Sequence, residues 1–179
     1  FSAQITNAQG TSITGNSIEG ATGVGIHDRT TAGVDIVISG NVIRRSGSHG
    51  IADLLTGAQS QTHYTITGNT IDATGGSHRG IAFHGATACN ISANTIANAG
   101  GPGIELVNGG GTNVGLNTVA DCGRGESDAS AGLSLATPNV SVVGNVITNT
   151  GLTGLAYGIT MTSACTASSM LGNTIRGVL

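Results

Sequence analysis

Nine residues of this chain combine titratable side chains with a shared spacing. His27, Asp28 and Arg29 follow Gly25-Ile26; His49 precedes and Asp53 follows Gly50-Ile51; His78 and Arg79 precede and His84 follows Gly80-Ile81; Glu105 follows Gly103-Ile104. Two carboxylates at the same offset in consecutive copies, Asp28 and Asp53, are what glycoside hydrolysis requires: one donates a proton and the other acts as base or nucleophile. The imidazoles and guanidinium groups at neighbouring offsets supply hydrogen bonds and charge for a bound sugar. Asp28, Asp53, His49 and Arg79 are therefore the candidate catalytic groups, and His27, His78, His84, Glu105 and Arg29 the candidate substrate-binding ones. Read as ordinary structure, the same histidines and arginines are solvated surface, and the two aspartates sit in a turn where a strand ends early.

The offsets are shared because the chain repeats. Asn16, Asn41, Asn69, Asn94, Asn117, Asn145 and Asn173 lie 25, 28, 25, 23, 28 and 28 residues apart. Three residues before each stands Ile13, Ile38, Ile66, Ile91, Val114, Val142 or Met170, and two after it Ile18, Ile43, Ile71, Ile96, Val119, Ile147 or Ile175. A glycine followed by an aliphatic residue recurs in six copies, from Gly25-Ile26 to Gly158-Ile159. Within these segments the apolar period is two, as in Thr65-Ile66-Thr67, with the apolar residue inward and hydroxyls outward. Short strands with one buried face cannot each make a core, but stacked as rungs they bury one continuous apolar column.

The prediction is an all-β parallel β-helix of about seven coils with two or three strands per rung, roughly 30 Å tall at about 4.8 Å per rung. Stacked asparagines would hydrogen-bond amide to amide as an Asn ladder, with the preceding glycine permitting the tight corner. On such a frame His49 and Arg79 become vertical neighbours. Ala52 and Ala82 form a low floor between His27 and Glu105, and Arg29 and His84 stand to one side. Rungs one to four would then carry a shallow polar groove suited to a sugar. Asp28 and Asp53 occupy the column that otherwise reads Phe83, Leu106, Leu135 and Met161, which should point inward, where a carboxylate is costly.

Composition supports one folded repeat domain over residues 1–179: 31 glycines, 2 prolines, no tryptophan, 8% charged and 38% hydrophobic residues. Lysine is absent, all six cations are arginine and the net charge is -3, so the basic footprint of a nucleic-acid binder is missing. No stretch approaches the roughly 18 apolar residues of a membrane span. Cys89, Cys122 and Cys165 have no metal-ligand spacing and are expected as free thiols. Glu19, Arg44 and Asp72 form an alternating-charge file, and Leu54 to His63, Asp121 to Ala131 and Asn149 to Tyr157 are the long connections, the second carrying Arg124, Glu126 and Asp128. Both termini fall inside a rung, so the ends are expected to be uncapped, continuing into other domains or abutting partners.

The Ile-x-Gly-Asn-x-Ile rungs followed by Gly-Ile resemble the right-handed parallel β-helix repeats of the pectin-lyase-like superfamily, which includes polysaccharide lyases and hydrolases, epimerases and bacteriophage tailspikes. The resemblance covers essentially the whole chain. It implies a carbohydrate-interacting module of a tailspike-like or secreted protein, extracellular or virion-associated. Its partner would be a polysaccharide, with identical chains in a homotrimer or other domains of the same protein beside it. A catalytic lyase or hydrolase domain and a purely structural rod are the alternatives. Of the polygalacturonase motifs only Ser48-His49-Gly50 is similar to Gly-His-Gly; the acidic motifs, the lysine of Arg-Ile-Lys and the epimerase motif Tyr-Gly-Phe-Asp-Pro-His are missing. No cofactor is expected, calcium entering only if the domain is a lyase. Sugar-stacking aromatics are limited to Phe1, Tyr64, Phe83 and Tyr157.

Overall fold

The computed structural model describes residues 2–6, 8–29, 32–53, 62–123, 131–150 and 157–177. Its strands form three seven-stranded sheets, every pairing parallel and every pair one rung apart. Seven rungs, about six full turns, therefore stack as a β-solenoid. The first sheet collects the Gly-Ile strands: Ala3–Ile5, Ile26–Asp28, Ile51–Asp53, Ile81–His84, Ile104–Val107, Ala131–Ala136 and Tyr157–Met161. The second carries the aliphatic residue before each asparagine, from Ser12–Thr14 to Ser169–Leu171, and the third the one after it, from Ser17–Glu19 to Thr174–Arg176.

Register follows the sequence columns. Ile18, Ile43, Ile71, Ile96, Val119 and Ile147 are successive Cα partners, and all are buried. Each such side chain taken from water contributes about 1.5–3 kcal/mol, and stacking β-branched residues of like shape fills the column evenly. The file ends at Ile175, 43% exposed on the last rung.

The asparagines stand at the corner between the second and third sheets. Asn41 Nδ2 donates to Asn69 Oδ1 at 2.9 Å and to the Ile13 carbonyl at 2.9 Å, while its main-chain N–H reaches the same Asn69 Oδ1 at 3.0 Å. The pattern repeats through Asn69, Asn94, Asn117 and Asn145 to Asn173. Asn41, Asn69, Asn94, Asn117 and Asn145 are at most 1% exposed. A buried amide is tolerated because both its donors and its acceptor are used. The residue before each asparagine has positive φ, and glycine fills that place in five rungs; Ala93 and Leu116 accept φ of 55° and 57° in the other two.

The second signature has a different cause. A Cβ on Gly50 would lie 2.5 Å from Ile71 Cγ2 and 2.6 Å from the Gly80 carbonyl oxygen, and Gly25, Gly80, Gly103 and Gly132 each meet the corresponding two neighbours on the following rung. The first sheet thus passes so close to the third that only hydrogen fits.

Candidate functional site

The outer face of the first sheet gathers the sequence-predicted polar residues over rungs one to four. His27, Ala52, Ala82 and Glu105 are successive Cα partners across its strands. The expected alanine floor exists, but it is closed: Ala52 and Ala82 are 0% exposed and form with Val24 a small apolar cluster separate from the main core. Polar heads make a rim around this floor rather than the walls of an open trough. His49 and Arg79 are vertical neighbours as expected, the Arg79 main-chain N–H donating to His49 Nδ1 at 3.0 Å. The Arg79 guanidinium is forked onto Glu105, Nε to Oε2 at 2.8 Å and Nη2 to Oε1 at 3.2 Å, and its Nη1 donates to the Ser77 carbonyl at 2.9 Å. His78 stacks edge-on against His49 with ring centroids 4.9 Å apart, and its carbonyl accepts the Thr74 hydroxyl at 2.9 Å. Arg29 is exposed just beyond the first-rung strand.

These neighbours tune one another. Burial, then the charges of His78, Arg79, His84 and His27, push the His49 pKa down from 6.5 to about 4. His27 is also lowered, by burial and then by Arg29, against the opposing pull of Asp28 and Asp53. His84 is raised, above all by its hydrogen bonding to Asp53, with burial opposing. Because a main-chain N–H already points at His49 Nδ1, the proton of that neutral ring sits on Nε2.

Asp28 and Asp53 do not lie in a turn. The strands Ile26–Asp28 and Ile51–Asp53 run through both residues, which are Cα partners, and both side chains point inward, 1% and 0% exposed. Neither faces an open cleft. Asp28 Oδ2 accepts the hydroxyl of buried Tyr64 at 2.5 Å, and Tyr64 packs edge-on against Phe83 with centroids 5.6 Å apart. Asp53 accepts the His84 main-chain N–H at 2.9 and 3.1 Å, and His84 Nδ1 lies 3.5 Å from its Oδ1. The sequence reading did not find the Tyr64–Asp28 bond. Its signal is that Tyr64 stands in a column that reads Ile36, Cys89 and Val140 on other rungs, where a phenol needs a partner.

With Tyr64 and Phe83 buried, Tyr157, at 52%, is the exposed aromatic among the described residues. Among the described residues no three His, Cys, Asp or Glu side chains converge as a metal site. Cys89, Cys122 and Cys165 form no disulfide among the described residues, Cys165 is only half-buried, and burial raises the Cys89 thiol to about 11. Glu19, Arg44 and Asp72 are in register, yet Glu19 pairs with Arg45 and Asp72 accepts from Asn98 at 2.7 Å. Most of the three long connections, with Arg124, Glu126 and Asp128, and also Phe1, lie outside the described residues.

No curated protein matches the sequence. Among solved structures, full-length tailspike protein 2 of Escherichia coli O157:H7 bacteriophage CAB120 is similar over 95% of this chain and 24% of its own, with a TM-score of 0.75 and 17% identity. The chain thus spans about a quarter of that tailspike, and at this identity the likeness is one of fold. The A-module of an Azotobacter vinelandii mannuronan C-5 epimerase matches 93% of this chain and 64% of its own, with a TM-score of 0.44 and 13% identity. The receptor-binding domain of the siphovirus 9NA tailspike matches 98% of this chain and 46% of its own, at 0.42 and 10%. The family described as right-handed β-helix region matches residues 2–177, and the chain belongs to that family.

Proposed function

We propose that this domain is a carbohydrate-binding β-helical module whose ligand rests on the rim of the first sheet. One observation carries the reading: His27, His49, His78, Arg79, His84 and Glu105, drawn from four rungs, meet on one face around a closed apolar floor. Polar groups of several rungs held by one another at one face suit a ligand that, like a sugar, offers many hydroxyls, while the covered floor keeps them in place. The tailspike likeness in fold is in keeping with it. On this reading the module works outside the cell or on a virion, beside identical chains or further domains, with a polysaccharide as partner. Binding is favoured over cleavage by the burial of Asp28 and Asp53, which keeps the carboxylate pair away from a ligand on the rim.

The test is a binding survey over capsular, pectic and alginate-type glycans, with reducing ends and unsaturated uronate followed in parallel. The expected result is binding to at least one glycan, weakened by Arg79→Ala and by His27→Ala and unchanged by Thr65→Ala on the second sheet, without turnover. Turnover lost in Arg79→Ala would move the assignment to a lyase or hydrolase, and absence of both binding and turnover to a structural rod.

A further inference from the structure

His84 meets a single carboxylate twice. Its main-chain N–H donates to both oxygens of Asp53, and its ring Nδ1 lies 3.5 Å from Oδ1. The reason is in the register. Pairing between the second and third rungs of the first sheet is recorded at Ile51–Ile81 and Ala52–Ala82, and beyond it the next amide along takes the Asp53 side chain as its acceptor. Asp53 has no exposed surface, whereas 35% of the His84 side chain is open. Nδ1 and Nε2 lie on opposite flanks of an imidazole, so a ring held by Nδ1 over a buried carboxylate turns Nε2 outward; a carboxylate behind a histidine fixes tautomer and orientation in this way in acid–base sites generally.

We propose that buried Asp53 is a positioning residue for His84, and that His84 Nε2–H is a hydrogen-bond donor to an anionic oxygen, carboxylate or phosphate, of the glycan held on the rim. The proposal rests on the ligand-binding reading of that rim. The groups facing His84 favour a charged ring: Asp53 and Glu105 support it, Arg79 and burial oppose it, and the contact with Asp53 is the largest influence. His49 is the contrast, a buried ring kept neutral whose Nδ1 is occupied by the Arg79 main-chain N–H. Glu105 is engaged by Arg79, and Asp28 and Asp53 are buried, so these carboxylates are held by partners rather than offered to a ligand. A charged donor of this kind favours an anionic acceptor over a hydroxyl.

Two measurements test it. The first is an NMR titration of the histidine rings in the ligand-free protein, for the unsubstituted chain and Asp53→Asn. His84 is expected to titrate above 6.5, and Asp53→Asn to bring it down. The second is calorimetric binding of a polyuronate, a phosphate-bearing glycan and a neutral glucan across pH. The charged ring is present below its raised pKa and lost as pH rises through it, so binding of the anionic polymer should fall about tenfold over that interval, the loss of one charge-assisted bond. His84→Gln should bind weakly with a flat profile. A His84 titration at or below 6.5 in the unsubstituted protein overturns the positioning role. A raised titration with pH-independent binding, or a preference for the neutral glucan, overturns the donor role and leaves the rim reading standing. A raised titration with no binding of any polymer overturns the rim reading itself. Should Asp53→Asn not fold, the unsubstituted titration and His84→Gln decide.

Discussion

Replacing Asn69 by alanine isolates what the amide file contributes. In the third rung, Asn69 Oδ1 accepts the Asn41 main-chain N–H at 3.0 Å and Asn41 Nδ2 at 2.9 Å, and Asn69 Nδ2 donates to Asn94 Oδ1 at 3.0 Å and to the Ile38 carbonyl at 2.9 Å. The contacts are buried. Truncation therefore strands a main-chain N–H and takes a bond from a main-chain carbonyl and from two neighbouring amides. A buried polar group left without a partner costs about 1–3 kcal/mol and each further lost hydrogen bond about 1 kcal/mol, so with one stranded N–H and the bonds taken from the carbonyl and the two amides the expected loss is about 5 kcal/mol. Asn16 is the internal control, since it is exposed and gives only Nδ2 bonds to Asn41 Oδ1 and the Thr14 carbonyl, besides its main-chain bond. Asn16→Ala should cost about 1 kcal/mol, the net worth of an ordinary hydrogen bond. Urea unfolding followed by far-ultraviolet circular dichroism on the two variants and the unsubstituted protein measures the gap. If the variants differ by less than about 1 kcal/mol, burial of the file is not what makes it valuable, and the reasoning fails.

Other substitutions probe separate features. Leu116 is 69% exposed at φ 57°, so Leu116→Gly should stabilise the fold by about 1 kcal/mol, read as a higher urea midpoint, by relieving a left-handed L-residue. Tyr64→Phe removes the hydroxyl that donates to Asp28 and should cost about 1 kcal/mol by the same assay, the net worth of an ordinary hydrogen bond. Burial holds His49 neutral down to about 4 while the unfolded ring takes its proton near 6.5, so the unfolded state binds more protons between these values. Stability should accordingly fall as pH drops through that window, and His49→Gln should flatten this part of a stability-against-pH curve.

The scaffold was legible because its physics is periodic. Ile66 and Ile71 flank Asn69 at fixed offsets, the same offsets recur around each asparagine, and only stacking satisfies all the copies together. Burial of Phe83 and the adjacency of His49 and Arg79 followed from the same columns. The fate of Asp28 and Asp53 was not legible. Column position pointed them inward and the cost of burying a carboxylate pointed them into a turn, and the contest was decided by partners on other rungs, Tyr64 and the His84 amide, that no single column contains. For the same reason the floor of Ala52 and Ala82 could be located but not judged open or closed, since its cover depends on the heights of side chains around it.

The asparagine file also has a direction. From Asn16 onward each side-chain nitrogen gives its proton to the carbonyl oxygen of the asparagine one rung later in the chain, and never the reverse. The amide dipoles consequently point the same way and sum along the axis, much as peptide units do in a helix. Such a column has unlike poles. A further coil can join it only the same way up, and two copies brought together pole to identical pole would set donor against donor or acceptor against acceptor.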